Sequence, residues 1–223
     1  AKEVADRWNK ETGLVLNNGW GLTETTAGVC ASPPGDIRID TIGGPFVGEV
    51  KIVNEEGKTI KITEAGEILV KGPHVMRGYY KRPEVNKQVF TEDRWLRTGD
   101  AGFIDKDGYL HFVDRIKDLI VASAYKIAPS EVEDVLMEHP AVNEVGVIGV
   151  SDPYRGQNVK AFISLKDDFK GKVTEEEIIE WSKEKMAAYK YPRIVEFIDE
   201  IPKHLMTQKV LRSKLREMEK EKK

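Results

Sequence analysis

Short apolar runs separated by turn-forming pairs predict a β-rich region between residues 43 and 113. The runs cover residues 47–53, 67–70 and 109–113. The turn signals between them are Glu56-Gly57, Ala65-Gly66, Gly72-Pro73 and Asp107-Gly108. Because these segments are short and not separated by helical patterns, they favour a small barrel or sandwich over parallel strands joined by helices.

A helical pattern precedes this region, and it opens the chain. It covers residues 2–12, with Ala5 and Trp8 on one face, and Gly13 supplies a helix stop. The apolar run 14–16 and the polar turn 17–19 follow. A chain that begins inside a helical pattern, without an initiator Met or signal peptide, is expected to be a fragment.

From about residue 114 the pattern changes to alternating helices and strands. One helix is predicted after Pro129-Ser130, and strands are predicted over 144–150, 160–165 and 194–198. Thr174 with Glu177 forms a capping-box signature. A terminal helix is indicated by Leu211, Leu215 and Met218, which share one face. The pattern predicts a compact α+β unit over residues 114–223.

Composition narrows the class of protein. The 223 residues carry 35 Lys and Arg against 38 Asp and Glu, a net charge of −3, which argues against a nucleic-acid-binding surface. No run approaches the ~18 apolar residues of a membrane span. The single cysteine, Cys30, excludes a disulfide framework and a Cys-rich zinc site. We therefore expect a soluble, cytoplasmic protein.

The most informative motif is Asn18-Gly19-Trp20-Gly21-Leu22-Thr23-Glu24-Thr25. Such a loop could stack a base on its aromatic ring, approach a phosphate at its glycines and offer Thr23 and Glu24 to phosphate oxygens and Mg²⁺. Taken alone, Gly-Trp-Gly is more often a turn with a buried aromatic residue.

Three further stretches carry candidate chemistry, each with an ordinary alternative. Asp100 in Arg97-Thr98-Gly99-Asp100 could accept both hydroxyls of a ribose, or could cap its own turn. The segment 114–118 is a hinge or a solvated linker. Lys209, in a loop before the terminal helix, is a surface lysine unless a mobile loop brings it to developing negative charge.

The joint order of these motifs resembles the adenylate-forming superfamily, which includes acyl-CoA synthetases, luciferases and peptide-synthetase adenylation domains. The similarity runs from residue 1 to about residue 216. Its further positions are Gly66-Glu67 with Gly72 and Gly78-Tyr79, Asp114-Arg115 through Glu131-Val132-Glu133, Asp152-Pro153-Tyr154-Arg155-Gly156, Tyr191-Pro192-Arg193 and Pro202 to Lys209.

The resemblance implies a role for each matching residue. Trp20 stands where an aromatic ring stacks on adenine, within the nucleotide-binding segment Asn18, Gly19, Trp20, Gly21 and Leu22. Thr23 would contact phosphate, Glu24 would bind Mg²⁺, and both would take part in catalysis. Asp100 would hold the ribose hydroxyls with help from Arg115.

Three lysines complete the implied set. Lys117 stands at the hinge about which the C-terminal domain rotates. Lys209 would bridge the carboxylate and the α-phosphate in the first half-reaction. Lys126 is either a phosphate contact or a surface lysine.

The same resemblance implies an α+β fold in three parts. Residues 1–42 would be the end of an N-terminal α/β subdomain, its last helix and strand. Residues 43–113 would form a small β-barrel, and residues 114–223 a C-terminal lid. A phosphate loop rich in Ser, Thr and Gly and the acyl pocket would lie upstream, in the missing N-terminal domain of a protein more than twice as long. We expect the fragment alone to be inactive.

The implied reaction is that of an AMP-forming acyl-CoA synthetase of the fatty-acid–CoA ligase type. A carboxylate would attack MgATP to give acyl-AMP, and coenzyme A would then displace AMP. Three segments look most like fatty-acyl members: residues 152–156, Lys160-Ala161-Phe162 and Tyr189-Lys190-Tyr191-Pro192-Arg193. We therefore expect a medium- or long-chain fatty acid and a role in lipid metabolism. The sequence leaves the oligomeric state undetermined.

Two alternatives and two departures accompany this interpretation. The protein could be an adenylating sister enzyme with another acceptor, or a non-catalytic nucleotide-binding or docking module.

Gln208 replaces the glycine that usually precedes the final lysine, in a loop that is one residue longer than usual. Ala124 replaces a glycine that lines the thiol tunnel in the family.

Overall fold

The chain divides into two units, and the division falls between Ile116 and Lys117. The computed structural model describes residues 2–222, with side chains from Ala5 onward. The first and last residues of the predicted domains 1–42 and 114–223 therefore lie outside the described residues.

The first unit contains two antiparallel sheets and two helices. Helix α1 (Lys2–Thr12) is followed by strands β1 (Gly19–Trp20), β2 (Cys30–Ala31) and β3 (Gly44–Pro45), which pair in the order β1-β2-β3. Strands β4 (Glu49–Val53), β5 (Gly66–Lys71), β6 (Leu96–Ile104) and β7 (Leu110–Arg115) form a second sheet in chain order. Helix α2 (Pro83–Val89) lies between β5 and β6.

The core of the first unit joins residues of both sheets. Its buried members are Val29, Cys30, Ile52, Ile68, Val70 and Leu110, and Trp20 packs against this cluster. Burial raises the pKa of the Cys30 thiol to about 12, so it stays protonated at neutral pH. Cys30 is thus a small apolar core residue of this unit.

The predicted small barrel is wrong. In the described chain β4 pairs only with β5 and β7 only with β6 in the sheet, so the four strands form an open meander. Closing a sheet requires more strands and a consistent stagger. In the segment expected to end an α/β subdomain, helix α1 is followed by the exposed residues Leu14 and Val15 and then by the short strand β1.

The second unit is a five-stranded sheet with three helices. After the 3-10 turn Ile116–Asp118 come strands β8 (Ile120–Ala122) and β9 (Tyr125–Ile127), then helix α3 (Pro129–Met137). The long hairpin β10 (Val142–Asp152) and β11 (Gly156–Leu165) follows, then helix α4 (Glu175–Lys185), strand β12 (Ile194–Phe197) and helix α5 (Arg212–Lys220). The sheet order is β10-β11-β8-β9, and β12 pairs with β11 in parallel.

Most predicted elements of this unit are confirmed. The segments 144–150 and 160–165 lie within β10 and β11, and 194–198 matches β12 to one residue. The Thr174 hydroxyl accepts a hydrogen bond from the Glu177 amide at 3.2 Å, and the Glu177 carboxylate accepts one from the Thr174 amide at 2.8 Å. Both ends of this capping box therefore satisfy free N–H groups at the start of α4.

The described residues include no helix that is both long and apolar enough to span a bilayer.

Candidate nucleotide site and lysine loop

The loop that follows Trp20 reverses the chain between β1 and β2. Trp20 pairs with Cys30 across these strands. A side chain on Gly21 would place a Cβ atom 1.5 Å from the carbonyl oxygen of Ala27. Since real Cβ atoms never come so close to backbone, this loop can close only with glycine at position 21.

Thr25 fixes the interior of the same loop. Its side chain is completely buried, and its hydroxyl both accepts from the Leu22 amide at 2.9 Å and donates to the Leu22 carbonyl at 2.9 Å. The Thr25 and Ala27 amides also donate to the Leu22 carbonyl. These bonds satisfy the loop's buried polar groups and hold Thr23 and Glu24 in one short 3-10 turn, with Thr23 exposed.

Asp100 lies at a bulge in the sheet formed by strands β4 to β7. Strand β6 pairs Ala101 with Glu67 and Arg97 with Leu69, so residues 98–100 stand opposite a single residue of β5. Gly99 adopts a φ of +71°, and the Asp100 amide donates to the Thr98 hydroxyl at 3.1 Å. Bulges of this kind redirect a side chain and are frequent beside functional sites.

Trp20 and Asp100, which are 80 residues apart in sequence, meet at this bulge. The Trp20 Nε1–H group donates to Oδ2 of Asp100 at 3.0 Å. Asp100 is only 4% exposed, and the Arg115 guanidinium lies 3.7 Å from its other oxygen, Oδ1. The indole N–H group and the guanidinium therefore hold the Asp100 carboxylate in one orientation, and a carboxylate can accept several hydrogen bonds at once.

Glu24 contacts a residue to which sequence reasoning gave no role. The Tyr79 hydroxyl donates to Oε1 of Glu24, and the Met76 amide donates to the Glu24 carbonyl at 2.8 Å. The hydrogen bond to Glu24, together with burial, raises the pKa of Tyr79 above its ordinary value, so the hydroxyl keeps the proton that it donates. The Gly78-Tyr79 pair was a visible signal for this partner.

Glu24 is the carboxylate that the resemblance assigns to Mg²⁺. Across the described residues no group of three or more His, Cys, Asp or Glu side chains could hold a metal by itself. A single carboxylate such as Glu24 suits Mg²⁺, which commonly takes its other ligands from phosphate oxygens and water.

The remaining predicted nucleotide contacts lie just before the loop 21–29 or at its start. The Asn18 amide group donates to the Ile39 carbonyl at 2.6 Å and is exposed, while Leu22 is half-buried. A side chain on Gly19 would crowd the Cys30 carbonyl oxygen at 3.3 Å. Asn18 and Gly19 therefore also shape the loop.

In the second unit, Lys209 lies on a loop that is closed by its own backbone. The His204 amide donates to the Lys209 carbonyl at 2.9 Å, and the Leu211 amide donates to the Pro202 carbonyl at 2.8 Å. Residues 204–209 are all exposed, and Leu205 and Met206 at the tip are 91% and 90% exposed. The loop is well closed at its base and presents its tip to solvent within this unit.

The other two lysines lie near the start of this unit. Lys117 is its first residue and is exposed, inside the 3-10 turn that follows β7. Lys126 lies on β9, where it pairs with Val121 and is exposed.

The two departures from the family pattern fall at turns. Gln208 has a φ of +56°, a left-handed conformation that favours glycine. Ala124 lies in the turn between β8 and β9, directly after Ser123, which has a φ of +57°. The glycine expected at position 208 thus has a conformational reason, which this chain meets with a strained glutamine.

Comparison with known proteins gives a consistent result. The long-chain-fatty-acid–CoA ligase of Escherichia coli O6:H1 is 40% identical over 216 residues, which are 96% of this chain and 38% of that protein. Crystallised ATP-bound MatB from Rhodopseudomonas palustris has a TM-score of 0.89 at 32% identity, over 98% of this chain and 43% of that chain.

A third similar protein is named for a different substrate. It is the O-succinylbenzoate coenzyme A synthetase of Bacillus subtilis in complex with ATP and magnesium ion, with a TM-score of 0.82 at 35% identity over 94% of this chain and 43% of that chain. This chain therefore spans about two fifths of the length of the proteins it matches.

Two family models match separate parts of the sequence. The AMP-binding enzyme model matches residues 1–80, and the model of the AMP-binding enzyme C-terminal domain matches residues 131–207. Both models describe the same kind of protein, and together they match more than half of the chain. The chain belongs to the AMP-binding enzyme family, and it carries part of the AMP-binding region together with the C-terminal domain.

Proposed function

We propose that this chain is the C-terminal part of an ATP-dependent acid–thiol ligase that activates a carboxylic acid as acyl-AMP and transfers it to coenzyme A. The observation that carries the proposal is the hydrogen bond between Trp20 and Asp100, with Arg115 beside it. An aromatic ring, a buried carboxylate and a cation converge there, and these groups can stack on adenine and accept the hydroxyls of a ribose.

Each group has a distinct part in holding the nucleotide. The bond from Nε1 to Asp100 fixes the plane of the Trp20 indole, so that its face can stack on adenine. The Asp100 carboxylate accepts hydrogen bonds from the ribose hydroxyls. Thr23 faces the phosphates, and Glu24 holds Mg²⁺, which neutralises charge on the triphosphate.

The chemistry is divided between two half-reactions. In the first, the acid carboxylate attacks the α-phosphorus and pyrophosphate leaves, and Lys209 stabilises the charge that accumulates on the carboxylate and phosphate oxygens. In the second, the coenzyme A thiol attacks the acyl carbon and AMP leaves. Lys209 is needed only in the first step. Rotation of the second unit about Lys117 can then move Lys209 away and bring strands β8 and β9 in its place.

The acyl substrate that we propose is a medium- or long-chain fatty acid. The 40% identity to the Escherichia coli ligase supports this choice. The similarity to the O-succinylbenzoate synthetase favours an aromatic dicarboxylic acid as the second candidate. An adenylating sister enzyme with another acceptor, and a docking module without catalysis, are the remaining alternatives.

The test is ATP–pyrophosphate exchange by the full-length polypeptide with acetate, octanoate, palmitate and O-succinylbenzoate, each with and without coenzyme A. We expect exchange with octanoate or palmitate, and acyl-CoA formation only when the thiol is present. Exchange without any thioester would favour the sister enzyme, and absence of exchange with every acid would refute the ligase.

The 223-residue chain by itself should not release pyrophosphate, because the proposed phosphate loop and acyl pocket belong to the rest of the polypeptide. Release of pyrophosphate from this chain well above that of Lys209→Ala would contradict this expectation.

A further inference from the structure

The segment that joins the two units consists of three exposed residues between two buried aspartates. Arg115, Ile116 and Lys117 are exposed, whereas Asp114 and Asp118 are 3% and 8% exposed. Asp114 accepts the Arg115 amide at 2.7 Å within the first unit. The stretch in which the backbone can turn without displacing a buried charge is therefore short.

Asp118 is held by the last helix of its own unit. Its Oδ1 accepts a hydrogen bond from Nη2 of Arg216, 98 residues later, at 2.7 Å. The Asp118 side chain is 10% exposed and that of Arg216 is 34% exposed. A carboxylate at such a position needs a charged partner, and a guanidinium supplies the directional one.

The inner face of α5 makes three such contacts around one buried leucine. Arg212, Leu215, Arg216 and Glu219 share this face. Arg212 binds Glu133 of α3 at 2.6 Å, Glu219 binds Lys160 of β11 at 2.5 Å, and Leu215 is completely buried. Helix α5 is thus fixed to the body of the second unit, and its Arg216 contacts the 3-10 turn at the start of that unit.

The same helix begins three residues after Lys209. The Lys209 loop is closed onto Pro202 by the Leu211 amide, and Leu211 stands immediately before α5. A continuous series of contacts therefore leads from Asp118 through Arg216 and α5 to the base of the loop that carries Lys209.

We propose that Arg216 and Asp118 form a positioning pair, which anchors the exit of the hinge to α5 and so transmits rotation at residues 116 and 117 to Lys209. This role rests on the proposed function. Arg216 is a positioning residue here and touches neither nucleotide nor acid. Without the pair, the turn at residues 116–118 can yield while the body of the unit stays in place, so Lys209 arrives imprecisely at the reacting oxygens.

The test uses four variants of the full-length polypeptide. Arg216→Met removes the pair and keeps the bulk of the side chain, while Arg216→Lys keeps the charge. Lys214→Met is the matched control, because Lys214 lies on the exposed side of α5 and pairs only with Glu217 among its described contacts. Asp118→Asn combined with Arg216→Met removes the buried uncompensated charge in case the single variant folds poorly.

Two measurements are made on each variant. Hydrogen exchange of the amides at residues 118–120 should accelerate at least tenfold in Arg216→Met and stay unchanged in Lys214→Met. The kcat for adenylation should fall about 10- to 100-fold, with the KM for ATP within about twofold, since misplacing a reacting group by about 1 Å has effects of this size. Arg216→Lys should restore most of kcat.

If hydrogen exchange at residues 118–120 is unchanged in Arg216→Met, the pair does not hold the turn at residues 116–118. If exchange is faster but kcat stays at the wild-type value in both Arg216→Met and the double variant, the pair does not position Lys209. If the wild-type protein adenylates no acid, the proposed ligase function is refuted. Hydrogen exchange alone would then test whether the Arg216–Asp118 pair holds the turn.

Discussion

Two loops of this protein carry candidate chemistry, and they are held in opposite ways. The loop 21–29 is anchored from inside, by a buried Thr25 hydroxyl and a glycine whose space is filled by backbone. The loop 202–211 is closed at its base by backbone bonds, and residues 204–209 are exposed. In the part of the chain that the structure describes, the hydrogen bonds near its tip join only its own residues, such as the Gln208 amide to the His204 carbonyl at 2.8 Å.

The difference follows from what each loop has to do in the proposed reaction. A segment that binds the triphosphate throughout both half-reactions benefits from a single fixed conformation, since preorganised groups need no rearrangement as charge develops. A segment that contributes a lysine to one half-reaction must leave afterwards, and buried side chains would oppose that departure. The contrast therefore predicts different responses to substitution in the two loops.

The largest effect is expected at Lys209. Lys209→Ala in the full-length polypeptide should slow adenylation about 100-fold, the loss typical of removing one group that stabilises developing charge. Thioester formation from supplied acyl-adenylate should stay within about threefold, since this step makes no demand on that charge. Separate single-turnover assays of the two half-reactions measure this, with Lys214→Ala as control. Equal losses in both half-reactions would contradict the alternating role.

Gly21→Ala should produce the largest loss of stability in the first loop. A Cβ atom 1.5 Å from the Ala27 oxygen forces the loop to rebuild, at a cost of about 3 kcal/mol in the free energy of unfolding. Denaturant titration of the 223-residue chain measures it.

The control for Gly21→Ala is Gly108→Ala, which has a φ of +88° and nothing within 4 Å of the added atom. It should lose only about 1 kcal/mol from backbone strain. Equal losses in the two variants would mean that the close approach at Gly21 has no energetic weight.

Thr25→Val tests the buried anchor without changing side-chain shape. It leaves the Leu22 amide without its hydroxyl partner, and we expect a loss of about 2 kcal/mol in the free energy of unfolding. Thr23→Val, on the exposed side of the same turn, should change stability by less than about 0.5 kcal/mol. If thermal unfolding ranks the two substitutions in the reverse order, the anchor has been misassigned.

The smallest effect is expected at Gln208. Gln208→Gly relieves a left-handed backbone, so the free energy of unfolding should rise by about 0.5–1 kcal/mol. The comparison variant is Thr207→Gly, which has no positive φ to relieve and should bring no gain. Calorimetry resolves differences of this size, and a loss of stability in Gln208→Gly would show that the glutamine side chain contributes contacts that outweigh the strain.

Local sequence signals predicted those parts of the molecule whose physics is local. Thr174 and Glu177 meet because they are three residues apart at a helix start. The face of α5 follows from the spacing of Leu215 within its helix.

What the sequence determined by itself is the set of chemical groups and the secondary structure that holds most of them: Trp20 and Glu24 in a glycine-rich loop, Asp100 at a turn, Lys209 before a helix. The tertiary structure alone decided which groups meet. The bulge that turns Asp100 toward Trp20, the hydroxyl of Tyr79 on Glu24 and the pairing of Arg216 with Asp118 each join residues separated by 55 to 98 positions. Such contacts depend on sheet register and helix docking, which no local pattern encodes, because the free energy that fixes them comes from burial shared across the whole unit.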